Sequence, residues 1–279
     1  MKAAPFDYSR PSSVAEAIEI LESADGDGKV LAGGQSLVPV LAMRLGRPSI
    51  LVDINRVPGL DTIEKANGDT VRVGALVRHS ELIDQTHLPL LSEAAQWIGH
   101  SAIRTRGTAG GSIAHADPSA ELPVVATALG AVVHVHGPSG FRTVDVGDLF
   151  VGPLETSLSE SEILTAIDFP IPERYGFAEF ARRHGDFGLV TVAVVEVNGA
   201  VRVAIGGVSA VPIRPLGAES ILADGPMTDE KITEAARAAA NEITAASDLH
   251  ASADYRIAMT EEFTRRALTQ AIGNKAGAH

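Results

Sequence analysis

Two glycine pairs hold the residues in this sequence whose types and spacing could do chemistry. One lies in residues 31–39, LAGGQSLVP, and the other in residues 108–123, TAGGSIAHADPSAELP. Each joins an apolar, strand-like run to a stretch of helical pattern. Backbone N–H groups with no side chain in the way therefore stand near the positive end of a helix. Hydrogen-bonding side chains follow both pairs: Gln35 and Ser36 after Gly33 and Gly34, Ser112 after Gly110 and Gly111. Clustered N–H groups with a nearby hydroxyl suit a pyrophosphate without requiring Lys or Arg. A lone glycine pair reads equally well as a tight turn, but two such loops suggest one anion held from two sides. Neither loop matches G-x-G-x-x-G or G-x-x-x-x-G-K-[ST], so the usual signatures of a nicotinamide Rossmann site and of a P-loop are missing.

Around the loops stand residues with divided readings. Asp117 precedes Pro118 where a helical run begins; it either caps that helix or accepts a bond from a ribose or ribityl hydroxyl, and the two roles can coexist. His115 faces a cofactor or bonds backbone within the turn. Arg182, Arg183 and His184 form the densest basic group, read as a solvated strand end or as a place where Arg183 neutralises cofactor charge while Phe187 packs beside an aromatic ring. Arg104 and Arg106 carry the same two readings. His134 and His136 share one face of a strand, yet no third ligand accompanies them, and they read as surface residues. Ser112, His115 and Asp117 are too close in sequence for a triad, and GGSIA is not a nucleophile elbow. Trp97 reads as core.

Elements to position these residues are legible in the pattern. Ser13 caps a first helix, with Glu16 reaching back to its N–H and Val14, Ala15, Ile18 and Leu21 as its apolar face. Strands are expected at residues 29–32 and 49–54, with a helix at 38–45 between them. Asn67-Gly68-Asp69 marks a hairpin, helices follow at 79–85 and 89–98, and an apolar helix at 120–129 lies beyond the second glycine loop. A hairpin spans 131–145, and residues 162–169 form a further strand. The connection at residues 171–176, rich in proline and glycine, is the best boundary. Beyond it three strands, at 177–182, 189–197 and 200–208, precede helices at 215–222, 229–246 and 254–271, a pattern of a separate α+β domain.

Composition narrows the function. The chain has 279 residues, 45% of them hydrophobic and 21% charged, enough for two folded domains. Its net charge of −12 leaves no basic excess for nucleic acid or an anionic membrane surface. With no cysteine, the chain itself can hold no disulfide, thiolate nucleophile or cysteine-ligated cluster. No segment reads as a signal peptide or membrane span, so the expected compartment is the cytoplasm.

These motifs carry a resemblance. AGGQSLVP at residues 32–39 and TAGGSIAHADPSAELP at 108–123 resemble, in order and spacing, the two FAD loops of the medium subunit of the molybdenum hydroxylases, the group that contains the carbon monoxide dehydrogenase medium chain and the flavin domain of xanthine dehydrogenase. The likeness extends over FDYSRPSSVAEAIEIL (6–21), RRHGDFGLVTVA (182–193) and ASADYRIAMTEEFTRRAL (251–268). The resemblance implies an α+β chain: a two-subdomain FAD-binding domain of the vanillyl-alcohol-oxidase type over residues 1–173, with subdomains of about 1–56 and 57–173, then a C-terminal domain with a three-stranded antiparallel sheet over 174–279. Ala32, Gly33, Gly34, Gln35, Ser36 and Leu37, with Thr108, Gly110, Gly111 and Ser112, would wrap the FAD diphosphate. His115 and Asp117 would contact the cofactor further along, Leu164 would lie near the flavin edge, and Arg183 would supply positive charge. Relatives often have lysine in the segment of Arg182 and Arg183, and some have tyrosine in place of Phe187. The implied partners are a molybdopterin-binding large subunit and a small subunit with two [2Fe–2S] clusters, assembled as a dimer of heterotrimers. This chain would accept electrons from the clusters and pass them to an external acceptor. The alternative is a stand-alone flavin oxidase of related fold.

Overall fold

The computed structural model describes residues 2–223 and 225–275. The chain begins with β1 (Asp7–Ser9), α1 (Val14–Ser23), β2 (Gly28–Leu31), α2 (Leu37–Ala42) and β3 (Ile50–Asp53). The three strands form a parallel sheet in the order β1-β3-β2. Ala17, Ile18 and Leu21 of α1 pack on Val52 and Ile54, closing a small core. Ser13 caps α1 through its side chain. Glu16 instead accepts from the N–H and hydroxyl of Ser12, one residue earlier than expected. The turn into α2 is the first glycine loop. That helix stops short of residue 45 because Arg44 adopts φ +61°, which breaks the helical hydrogen-bond ladder.

A second layer follows, with β4 (Ile63–Lys65), β5 (Thr70–Gly74), α3 (His79–Leu82), α4 (Pro89–Trp97), α5 (Ser101–Arg104), α6 (Ala109–His115), α7 (Glu121–Leu129), β6 (Val132–Gly137), β7 (Gly140–Asp145), α8 (Val146–Leu149), β8 (Phe150–Gly152), β9 (Glu155–Thr156) and β10 (Ile163–Pro170). Five strands pair in the order β4-β5-β10-β6-β7, all antiparallel. Their apolar face packs against α4, α6 and α7 in the largest core.

The last part is β11 (Arg174–Phe180), β12 (Val190–Val197), β13 (Ala200–Gly206), α9 (Leu216–Leu222), α10 (Asp229–Glu242) and α11 (Ala253–Gly273). Its sheet is the expected three-stranded antiparallel meander. The strand β12 is apolar on both faces. Val190, Val192 and Val194 join the core beneath α10 and α11, whereas Ala193, Val195 and Val197 join the core of the five-stranded sheet and α7. Alternation of period two thus lets one strand serve two cores. At Gly176 the backbone carbonyl of Ala267 in α11 occupies the place a Cβ would need. The helix α10 ends at Glu242 rather than 246, because Ile243 is extended.

Candidate functional site

The two glycine loops, about 75 residues apart in sequence, meet in space. A Cβ on Gly33 would overlap the carbonyl oxygen of Arg106 and approach the Cα of Gly107 at 2.8 Å, and one on Gly111 would stand 3.9 Å from the Cβ of Ala32. A polar bridge ties them. Asn55 donates its side-chain amide to Ala32 O at 2.7 Å and accepts at Oδ1 from Arg78 Nη2, also at 2.7 Å. The other arm of the guanidinium, Nη1, donates to Arg106 O at 2.6 Å. Behind them Asp53 accepts from the N–H and side chain of Asn55 and from the Tyr8 hydroxyl, with Arg10 at 3.5 Å. Burial pushes the Asp53 carboxyl up, but the Tyr8 and Asn55 bonds outweigh it and hold the group below its ordinary value. Sequence reasoning missed Asp53, Asn55 and Arg78. The available signal was Asp-x-Asn closing a strand, a spacing that lets a carboxylate accept from the backbone two residues on.

Backbone amides divide the loops. None of the described hydrogen bonds uses the N–H groups of Gly33, Gly34, Gln35, Ser36 or Leu37. Gly34 turns the chain with φ +71°, and Ser36 precedes α2 without capping it. Gln35 folds its amide onto Gly33 O at 3.2 Å. The second loop is closed: Ala109 N donates to Val77 O and Gly110 N to Ala75 O, each at 2.9 Å, Gly111 N to Thr108 Oγ1 at 3.1 Å, and Ser112 N to Thr108 O at 3.0 Å. The glycines expected to precede a helix form the first turn of α6, with Thr108 as its cap. The bare amides expected at the second loop are therefore a correction, since the edge beyond β5 consumes them. The hydroxyl of Ser112, on this helix, enters none of the described bonds.

Beyond α6 the chain turns at Ala116, φ +51°. Asp117 does not cap a helix, contrary to one of its readings. Its carboxylate accepts from Ser119 N at 2.8 Å, its carbonyl from Ala120 N at 3.0 Å, and the cap position of α7 belongs to Ala120. His115, in the last turn of α6, is half-buried. Leu164 lies in β10 opposite Val135, buried in the same core as Ala109 and Ile113 of α6. Arg183 sits on the exposed connection between β11 and β12, which also carries Phe187, 72% exposed. That connection is seated on the segment leading to the second loop: His184 packs edge-on against Trp97 at 5.5 Å, and Gly185 abuts His100. The structure thus brings residues 32–37 and 108–112 together, leaves Leu164 beneath them, and gives Arg183 no bond to either loop. Arg104 is committed to Ile98 O and Gly99 O. His134 departs from its surface reading; it is buried, and its Nε2 lies 2.7 Å from Asp168, a carboxylate that also accepts both arms of Arg72.

His79 holds the second loop from inside. Its Nε2–H donates to Thr108 O at 2.9 Å, its backbone N–H donates to Gly107 O at 3.0 Å, and the buried Nδ1 has no partner among the described residues. Burial drives its pKa down to about 4, so the ring is neutral at ordinary pH. A separate concavity of about 440 Å³ between β1 and α1 is lined by Asp7, Glu16 and Glu19, a charge pattern hostile to an anion.

Amides at residues 33–37 that enter none of the described hydrogen bonds, and glycines that admit close approach, fit an anionic dinucleotide. Residues 4–172 match the family described as the FAD binding domain in molybdopterin dehydrogenase. The chain belongs to that family. Residues 175–271 match the CO dehydrogenase flavoprotein C-terminal domain. Similar across nearly the whole of this flavoprotein chain is the nicotine 6-hydroxylase medium subunit of Paenarthrobacter nicotinovorans, 42% identical over 97% of this chain and 99% of its own. The carbon monoxide dehydrogenase medium chain of Hydrogenophaga pseudoflava is 36% identical over 95% and 96% of the two. Among solved structures, the Hydrogenophaga pseudoflava carbon monoxide dehydrogenase that lacks the Mo-pyranopterin moiety superposes with a TM-score of 0.93 at 37% identity, covering 99% of this chain and 100% of its counterpart. Quinoline 2-oxidoreductase from Pseudomonas putida 86 follows with 0.92 at 35%, covering 98% and 99%. Among the described residues no helix is long and apolar enough to cross a membrane.

Proposed function

We propose that this chain is the FAD-carrying electron-transfer subunit of a cytoplasmic molybdenum hydroxylase. Its partners are a molybdopterin-binding large subunit and a [2Fe–2S] small subunit, arranged as a dimer of heterotrimers. The observation that carries the reading is the Asn55–Arg78 bridge, which fixes two glycine loops as one clamp. Ala32, Gly33, Gly34, Gln35, Ser36 and Leu37 offer amides and a hydroxyl to the diphosphate. Thr108, Gly110, Gly111 and Ser112 form the opposing wall, with the Ser112 hydroxyl as its donor. His115 and Asp117 reach the cofactor beyond that wall, Leu164 lines the floor toward the ring, and Arg183 supplies positive charge from the neighbouring connection. FAD, when bound, would supply the redox chemistry, the passage of electrons from iron–sulfur clusters to an external acceptor. The chain's own residues bind and orient it.

Residues 1–173, with parts at about 1–56 and 57–173, form the FAD-binding domain in this reading, and 174–279 the C-terminal domain. The partition into separate sheets supports that division. Purified chain is expected to carry flavin absorbance, or to acquire it stoichiometrically from added FAD; a protein that stays colourless in excess FAD overturns the reading. Copurification of a molybdenum chain and an iron–sulfur chain, with a mass equal to two copies of each, tests the assembly.

A further inference from the structure

Arg256 is a buried guanidinium where α11 meets the ends of β12 and β13. It lies in the first turn of the helix, within residues 251–268, and is 6% exposed. Its Nη2 donates outward to Asp248 at 2.7 Å, and that carboxylate is itself fixed by the N–H groups of His250 and Ala251. Its Nη1 spends both N–H groups inward, on Leu189 O and Gly207 O, each at 2.7 Å. Ser252 caps α11 by accepting from Tyr255 N at 3.2 Å, so the helix start that aims the side chain is set locally.

The two carbonyls belong to different segments. Leu189 ends the connection between β11 and β12, the one that carries Arg183, and its N–H closes that connection on Phe180 O at 2.7 Å. Gly207 follows β13 and donates its N–H to the carbonyl of Pro118, the residue after Asp117, at 2.8 Å. Glycine makes this contact possible: Gly207 has φ +79° and Leu189 O 2.6 Å from where a Cβ would stand, while a Cβ on Gly206 would overlap Val124 of α7. On the other side of Asp117, Ala116 O accepts at 3.0 Å from Leu154 N, whose residue holds φ +60°, a backbone that leucine adopts only at a cost. Half-buried Asp117 thus sits in a turn whose flanking carbonyls are both pinned by residues distant in sequence.

We propose that Arg256 is a positioning residue for the cofactor: by holding Gly207 and Leu189 together, it fixes the Asp117 turn and the end of the Arg183 connection. These are two of the segments that the FAD reading above, on which the inference rests, assigns to the cofactor outside the glycine loops. Its own described bonds reach neither loop, so it acts through those segments. A guanidinium suits the place because its rigid fork meets three acceptors in fixed directions, whereas lysine carries the charge without the fork.

FAD titrated into the flavin-free full chain tests this through double-mutant cycles. Arg256→Lys should weaken FAD binding about fivefold, and Asp117→Asn by a similar factor. The double variant should bind no more weakly than the weaker single, because the lysine has already released the carboxylate that asparagine replaces. Combined with Ser36→Ala, on the opposite loop, Arg256→Lys should instead multiply the two losses. If Arg256→Lys does not fold, Asp248→Ala takes its place in both cycles, since it loosens the same guanidinium at its half-exposed end. A purely structural arginine would lower the urea midpoint yet give the product of the single effects in both cycles, and that result overturns the positioning role. So do non-additivity in both cycles and unchanged FAD affinity in either Arg256→Lys or Asp117→Asn. In each of those cases wild type still binds FAD and the FAD reading stands; wild type that binds no FAD overturns both.

Discussion

The two glycine loops look like copies of one motif and do opposite things with their backbones. Around Gly33 and Gly34 the amides enter none of the described hydrogen bonds, the helix that follows has no side-chain cap, and Ser36 is exposed. Around Gly110 and Gly111 every N–H from Ala109 to Ser112 is consumed, by Ala75 and Val77 of the segment after β5 and by Thr108. Glycine serves different ends in the two. Gly34 supplies a positive φ, whereas Gly110 lets α6 press on Ala75, whose Cβ would stand 2.5 Å from an added methyl. One loop is an open donor surface and the other a rigid wall that supports it. The difference lies in whether a strand edge runs alongside.

The largest expected effect separates them by pH. His79 is bound neutral behind the wall with its pKa at about 4, below the unfolded value of 6.5. Its stabilisation is fully present above pH 6.5 and is lost as pH falls toward about 4, because the unfolded chain takes up the proton first; the shift corresponds to about 3 kcal/mol. Asp53, behind the open loop, has its pKa lowered, so its contribution is lost only below its unfolded value near 3.8. Chemical denaturation across acid pH should show wild type weakening first in the upper window, and His79→Gln should remove that slope. An unchanged slope would mean the imidazole does not support the wall.

Next in size, Gly110→Ala is expected to destabilise the flavin-free chain by about 2 kcal/mol through overpacking against Ala75, read from the urea midpoint; a neutral result would place slack where the structure shows contact. Thr108→Ala removes the cap of α6 and should cost about 1 kcal/mol in the same measurement. The smallest change is the most discriminating. Ser36→Ala should leave stability within about 0.5 kcal/mol, since its hydroxyl caps nothing. It should weaken FAD binding by about 1 kcal/mol, roughly fivefold. Loss of stability without loss of affinity at Ser36 would reverse the roles given to the two loops.

Much of the fold could be read along the chain. The Asn67-Gly68 and Asn198-Gly199 turns, the Ser13 cap and the apolar runs locate their elements because each rests on local backbone preference. Both glycine pairs and their following polar residues were equally visible. Asp117 read as a helix cap or a cofactor contact and the structure makes it a turn residue, since a carboxylate before proline suits an Asx turn as well as a helix cap. Asn55, Arg78 and His79 gave little signal. Their partners, Ala32, Arg106 and Thr108, are more than 20 residues away, and no periodicity encodes a bridge of that length. His134 read as exposed because the alternation of β6 does not reveal that Asp168 on the adjacent β10 and Arg72 on β5, one strand further, cover it.

The sequence by itself determined that this chain has two glycine pairs, each followed by hydrogen-bonding residues, no cysteine to hold a cluster, and a meander followed by helices at its C-terminus. These properties depend on residue type and on neighbours within a turn or a strand. Tertiary structure alone decided that the loops meet and that one keeps its amides out of the described hydrogen bonds while the other spends them. Hydrogen-bond occupancy and desolvation are set by whichever distant groups the fold brings alongside, and the pairing of residues 75–79, the segment after β5, with residues 107–110 is such an event.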